Sequence, residues 1–283
     1  VRPRPSCFSK TRPASGSRVS DGRALVEDDT LLGPRWFDIG NSRSDEMSSM
    51  SVPLESLPPT VLAVCLRLRD GLSRILGGDL VALWAHGASV SPDTPARLGD
   101  VDTLGILPGR CDRKTAARID ALHSSLEAEY DVEIDGWYVL LADAQKSEPP
   151  PHAFRPGLVD ESWALHRAHL LAGRCAAIHG ANPQIILPVP TWLELEQTLQ
   201  HEFRFVEEHL DSLASAGIAP YAVLNCCRIA YSIESHDVVT SKREAAVWAL
   251  EGLPGHWHQL IRAATRWYDR AEEPEDQTLL KSQ

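Results

Sequence analysis

A small α/β sheet of mixed direction followed by an all-α bundle is the fold class that the sequence predicts, and three observations predict it. Between residues 57 and 141 the apolar positions switch between helical and strand spacing in the order helix, strand, strand, helix, strand. Pro149-Pro150-Pro151 then interrupts the pattern. Beyond these prolines the strand signals nearly vanish, and helical spacing recurs at about 160–178, 191–214, 219–235, 241–251 and 254–271. The expected organisation is a disordered extension over 1–52, a sheet-bearing domain over 53–148 and a helical domain over 152–272.

Residues 1 to about 50 are rich in Ser, Arg, Pro and Gly, a composition that buries too little apolar surface to fold. The first twenty lack acids, as transit peptides do, but Asp21, Glu27, Asp28 and Asp29 follow at once and no apolar secretion segment is present. Met47 or Met50 is the expected natural start. The first convincing element carries Val61, Val64, Cys65, Leu68, Leu72, Ile75 and Leu76 at helical spacing and stops at Gly77-Gly78. The apolar run from Asp79 to Ala85 reads as a buried strand. A loop rich in Ser, Pro and Gly spans Ser89 to Gly99, and a second strand runs from Asp100 to Leu107. Ala116, Ile119, Leu122 and Leu126 mark a helix over 113–129, and a third strand follows from Asp131 to Leu141. The tail from Glu272 is polar and is expected to fray.

Bulk properties remove several function classes. No apolar run approaches the roughly 20 residues that cross a bilayer. The net charge of −11, from 39 acids against 28 Lys and Arg, repels nucleic acid and attracts cationic small molecules. The six cysteines (Cys7, Cys65, Cys111, Cys175, Cys226 and Cys227) form no C-x-x-C pair, so reduced thiols in a cytoplasmic protein are expected. A monomer or weak dimer is the expected state.

The informative constellation is Gly87 after the first strand, Asp100-Val101-Asp102 opening the second, and acids on the third. Alternate strand residues share a face, so Asp100 and Asp102 project together about 6.6 Å apart. Two such carboxylates suit a divalent cation of the kind phosphoryl-type displacement needs. Mg2+ takes few protein oxygens and completes its shell with phosphates and water. On the third strand Asp131, Glu133 and Asp135 share one face, and any of them could accept a proton from a substrate hydroxyl.

These residues resemble the streptomycin/spectinomycin adenylyltransferases and the wider aminoglycoside nucleotidyltransferases allied to them. Ala82-Leu83-Trp84-Ala85-His86-Gly87-Ala88 resembles the family's strand ending in Gly-Ser, and Gly99-Asp100-Val101-Asp102 its Ser-Asp-x-Asp. Tyr221 to Tyr231, with Val223-Leu224 and Cys227-Arg228, is similar to the V-L-x-x-C-R helix. Ser241 to Leu250, with Leu253-Pro254, resembles the S-K-x-x-A-x-x-W-A-L…L-P segment. The likeness covers about residues 57 to 270. It implies a nucleotidyltransferase domain and a helical C-terminal domain that together move AMP from ATP to a hydroxyl of a small cationic acceptor, an aminoglycoside. By that likeness Asp100 and Asp102 bind Mg2+ and Asp135 is the general base, with Glu133 in reserve. Gly87 and Ser89 would meet the nucleotide beside the first strand, and Arg228 and Lys242 would contact its phosphates.

Three departures qualify the match. Ala88 stands where the family has serine, so Ser89 would have to shift in to supply a hydroxyl, and Gly99 replaces the serine before the D-x-D. The third carboxylate is Asp rather than the more usual Glu. These leave two further readings: transfer to another small-molecule or protein hydroxyl, and a nucleotide-binding homologue with weakened catalysis. Elsewhere, His201-Glu202 lacks zinc-hydrolase spacing, and Glu194, Glu196, Glu202, Glu207, Glu208 and Asp211 read as a solvated face.

Overall fold

The structure is a computed structural model and describes residues 51–91, 100–215, 219–269, 271, 275–276 and 279–280. The extension expected over 1–52 therefore lies outside the described residues except for Ser51 and Val52, and so does Gly99. The first helix, α1 (Pro59–Leu76), starts on Pro59, which suits a first turn, and closes at Gly77. Then come β1 (Ala82–His86), β2 (Asp100–Leu107), α2 (Arg113–Tyr130) and β3 (Glu133–Leu140). Asp112 caps α2 by accepting the Thr115 N–H at 2.7 Å. Asp131 closes α2 in a left-handed conformation (φ 52), which places it before the third strand and not on it.

A short turn, α3 (Leu141–Ala144), leads to the prolines, and α4 (Trp163–Leu171) follows them. The helix expected over 160–178 ends early. Cys175–Gly180 forms β4, which pairs antiparallel with β1 and completes a four-stranded sheet of order β3-β2-β1-β4. The sheet therefore takes its last strand from beyond the triple proline. Its Cys175-Ala176-Ala177-Ile178 run carries apolar residues on both faces, so it shows no alternation to set it apart from a buried helix. Gly180 ends the strand with φ 75, and a Cβ there would stand 1.9 Å from the Val81 carbonyl oxygen.

Both sheet faces are covered. Val64, Leu68 and Leu72 of α1 and Ile119 and Leu126 of α2 pack on Leu83, Val101 and Tyr138. On the other face Trp163 and Leu170 of α4 and Ile186 of α5 (Pro183–Ile186) pack on Trp84, Leu104, Ile106 and Val139. Trp84 and Trp163 are fully buried. The helical part comprises α6 (Trp192–Ser215), α7 (Ala219–Ser235), α8 (Lys242–Gly252) and α9 (His258–Tyr268). Ala245, Ala246 and Ala249 of α8 and Ala263 and Ala264 of α9 let the helices pack closely around Leu224 and Cys227. The polar tail is better packed than its composition suggests. Leu280 joins this cluster, and buried Asp276 pairs with Arg266.

The two parts are joined by a buried ion pair. Arg167 of α4, fully enclosed, donates to Glu194 of α6 and to the carbonyls of Pro188 and Ser147. The cysteines of the described residues are free, and burial pushes Cys65 up to about 12, which makes it an inert thiol. No helix among the described residues is long and apolar enough to cross a membrane.

The pairing of β4 gives a direct test. Gly180→Ala forces a side chain against the Val81 carbonyl in a left-handed conformation, so urea denaturation should show a loss of about 2 kcal/mol or more.

Candidate active site

Register assembles the site. Antiparallel pairing sets His86 opposite Asp102, and parallel pairing sets Asp102 opposite Asp135. Three polar side chains thus stand in one row on one sheet face, with Trp84, Leu104 and Trp137 as the row behind them. Asp100 lies opposite Glu133, nearer the start of the strands. Of the three acids that the sequence left open, Asp135 is the one placed beside Asp102. Glu133 is one pair removed and lines neither cavity described below, and Asp131 is off the strand.

Gly87 follows His86 with φ 72, and a Cβ there would fall 1.9 Å from the Asp102 Oδ2. The position needs glycine on both counts, because the chain turns left-handed directly against a buried carboxylate. The next residues form a tight 3-10 turn, Gly87–Val90. Inside it the Ser89 hydroxyl donates to the His86 carbonyl at 3.0 Å, and the residue is 1% exposed. The expectation that Ser89 supplies a hydroxyl to the nucleotide is corrected here: that hydroxyl closes its own turn and does not line the cleft, whereas Gly87 and Ala88 do.

The cleft lies between sheet and bundle, and Gly87, Asp102, Arg228 and Lys242 all line it. Lys242 opens α8, whose first turn is fixed by a capping box between Ser241 and Glu244. Its ammonium sits 4.9 Å from the Tyr221 ring centre and 5.6 Å from that of Tyr268, in a partly aromatic seat that faces Asp102. Arg228 of α7 lies 3.3 Å from His169 Nε2. A guanidinium only donates, so His169 must accept and be neutral. Burial, reinforced by the Arg228 charge, holds His169 well below its ordinary range, in agreement. Arg228 is thereby oriented by a group that leaves its charge uncancelled. Arg174 and Arg243 also line the cleft, each facing a carboxylate, Glu244 and Asp269 respectively.

A second, smaller cavity adjoins the first, sharing Asp102 and His166, and Asp135, Trp137, Asp160 and Glu161 line it. No motif had singled out His166. Its Nδ1 bonds Asp160 at 2.8 Å, and the other acceptors of the cluster are spoken for: the Ser162 N–H goes to Asp160 and the Ser162 hydroxyl to Glu202. Burial opposes a charge on His166, yet Asp160, Asp102 and Glu202 outweigh it and the pKa is raised. His86, 5.5 Å away ring to ring, lacks such a partner, and burial pushes it down to about 3. The buried acid Glu202 belongs to the α6 cluster that reads as a solvated face; it alone of that cluster lines the cleft, whereas Glu194 pairs with Arg167 and Glu196, Glu207, Glu208 and Asp211 are exposed.

The carboxylates repel one another. Burial, then Asp100 and Asp135, hold Asp102 well above the usual range, with Lys242 and His166 pulling the other way. Burial and then Asp100 raise Asp135 to about 6. The Asp135 Oδ2 is buried without a hydrogen-bond partner. Crowded acids with an orphaned oxygen fit a cation bound among them. Among the described residues no three His, Cys, Asp or Glu side chains form a complete cage, so such a cation would complete its shell from phosphate, as Mg2+ does.

A small mixed sheet bearing Asp-x-Asp thus faces cations from a helical bundle. Residues 199–282 match the family model described as aminoglycoside adenylyltransferase, C-terminal domain. The fold is similar to the crystal structure of spectinomycin adenyltransferase AAD(9) from Enterococcus faecialis with ATP and spectinomycin, with a TM-score of 0.62 and 12% identity over 78% of this chain and 97% of that one. At that identity the likeness is one of fold. No curated protein sequence matches significantly. The family resemblance carried by the Val223–Arg228 and Ser241–Leu250 segments is thus shown for the C-terminal part, and the expected fold class for the whole. The match is thus to a C-terminal domain over residues 199–282, and the likeness of the whole is one of fold.

Asp135 supplies a pH test. Its carboxyl is raised in the folded state, so the fold binds the proton more tightly than the unfolded chain, and stability falls as pH rises from about 4 through about 6. Asp135→Asn removes this penalty. In metal-free buffer its Tm should exceed that of wild type at pH 7, and the difference should vanish near pH 4.

Proposed function

We propose that this chain is a Mg2+-dependent adenylyltransferase that moves AMP from ATP to a hydroxyl of a cationic acceptor, an aminoglycoside. The observation that carries the reading is Asp102, which faces Arg228 and Lys242 across one cleft and stands in register beside Asp135 in the adjoining cavity. Asp100 and Asp102 would hold Mg2+, which when bound neutralises the triphosphate. Arg228 and Lys242 would grip the phosphates that depart as pyrophosphate, in a partly dry cleft where such contacts are strong. Asp135 would take the proton of the acceptor hydroxyl as its oxygen attacks the α-phosphorus and the bond to the β-phosphate oxygen breaks. With a pKa of about 6 it is mostly ionised at pH 7, which suits a base.

The acceptor class is supported from two sides. Residues 199–282 match the aminoglycoside adenylyltransferase C-terminal model, and the smaller cavity beside Asp135 carries the further exposed acid Glu161, which attracts ammonium groups. A weakened nucleotide-binding homologue is favoured by Ala88 and by the inward turn of Ser89, but the turn Gly87–Val90 can still offer main-chain N–H groups to a phosphate.

Release of pyrophosphate from ATP and Mg2+ in the presence of an aminoglycoside panel decides the matter. Turnover with at least one acceptor is expected, and Asp102→Asn should lower kcat on the order of 100-fold or more. Arg228→Ala should act mainly through ATP, raising its KM about tenfold. ATP binding without turnover on any acceptor would leave the homologue reading standing in its place.

A further inference from the structure

On the reading above, the smaller cavity receives the acceptor. We infer that Trp137 is a specificity-determining residue there, whose indole N–H reads an oxygen neighbouring the hydroxyl that Asp135 deprotonates. Asp135 and Trp137 point to the same sheet face, two residues apart on β3, about 6.6 Å along the strand. Both line the cavity, and each presents an unsatisfied buried atom: Asp135 Oδ2, an acceptor, and Trp137 Nε1, a donor. A buried donor left unpaired costs about 1–3 kcal/mol. Folded proteins seldom carry two such atoms side by side unless something comes to meet them.

The indole cannot swing away to find another partner. The His152 ring meets it edge-on, centres 4.9 Å apart, and His152 is itself pinned because its Nδ1 accepts the N–H groups of Phe154 and Arg155. His152 is 4% exposed, so this support is rigid. Because an indole nitrogen donates and never accepts, the group that meets it must be a hydroxyl, ether or carbonyl oxygen and not an ammonium. Asp135 takes a donor, the reacting hydroxyl. Two residues apart on one strand, the pair meets two oxygens of one ligand, the reacting hydroxyl and a second close to it. Glu161 at the cavity wall supplies the opposite preference, for a cationic group on the remainder of the ligand. The ligand so defined is polyhydroxylated and cationic, with two neighbouring oxygens presented together. In the row behind the acids Leu104 is apolar and the Trp84 indole N–H donates to the Ala181 carbonyl at 2.8 Å, so Trp137 holds the one donor of that row without a partner.

The test compares wild type and Trp137→Phe, which deletes the N–H and keeps a flat ring, with ATP, Mg2+ and spectinomycin or streptomycin as probes. The acceptor KM should rise about tenfold in the variant, with kcat and the KM for ATP within twofold. Without ligand the variant should melt no lower than wild type, since it loses an unpaired donor. The same acceptor with the neighbouring oxygen replaced by hydrogen should lose a similar factor on wild type and little on Trp137→Phe, and the wild-type half of that comparison stands even where the variant folds poorly. An acceptor KM unchanged in Trp137→Phe, or an equal penalty for the deoxy acceptor on both proteins, overturns the inference while turnover by wild type leaves the adenylyltransferase reading intact. Conversely, if no acceptor is turned over yet calorimetry shows spectinomycin binding wild type about tenfold more tightly than Trp137→Phe, the site survives and the catalytic reading falls. If spectinomycin and streptomycin neither bind nor react, both are overturned.

Discussion

The parallel pairing of β2 with β3 is the constraint on which the site depends. It sets Asp102 beside Asp135 at a single register, while the antiparallel pairing on the other side sets His86 beside Asp102. Side chains on a strand alternate with a period of two, so a slip of one residue would turn both acids into the layer packed by α1 and α2 and expose Val101 and Ile134 instead. Burial of Leu104, Ile106 and Val139 against Trp163 on one face, and of Leu83, Val101 and Tyr138 against α1 and α2 on the other, therefore selects the register that gathers the charges. The hydrophobic core stabilises an arrangement that electrostatics alone would disperse. The raised Asp102 and Asp135 record that opposition.

Neighbouring histidines show how finely the surroundings divide charge in this region. His86, His166 and His169 lie close enough to perturb one another, and burial lowers the charge affinity of all three. Only His166 has a carboxylate bonded to its ring, and only His166 is raised. His169, held neutral, becomes the acceptor that Arg228 needs. The bond to Asp160 thus separates an imidazole whose proton affinity is raised from two whose affinity is lowered, and the neutral His169 orients Arg228 without opposing its charge.

Much of this was legible in the chain. Period-3.6 patterns located α1, α2 and the bundle helices, because each has one wet and one dry side, and β2 was found from its short apolar run behind the D-x-D. The D-x-D spacing, with the family-like segments around Arg228 and Lys242, led to Asp102, Arg228 and Lys242, which line a common cleft. β4 was missed because a strand buried on both faces has no alternation. Ser89 was misjudged because sequence cannot say whether a hydroxyl faces outward or closes its own 3-10 turn. His166, Asp160 and Glu202 come from α4, the loop before it and α6, and only the packing of α4 across the sheet brings them together. No spacing along the chain encodes such a meeting. Trp137 drew no reading of its own within the third strand, and only the packing around it shows that its nitrogen has no partner.

The two cavities that meet at Asp102 and His166 differ in charge. Arg228 and Lys242 stand in the larger near Glu202, with Arg174 and Arg243 paired to Glu244 and Asp269, while Asp135 and Glu161 line the smaller beside the bonded His166 and Asp160. A pair of unit charges 4 Å apart is worth about 4 kcal/mol at the effective dielectric of such sites. A triphosphate is therefore repelled from the acidic side and an ammonium-bearing acceptor from the basic side, before any shape is compared. That polarity fixes which way round two oppositely charged substrates can lie in one cleft, and it leaves the attacking oxygen and the α-phosphorus to meet at the boundary, where Asp102 stands. Orientation of this kind, built into the site before either ligand arrives, is where binding can be turned into rate.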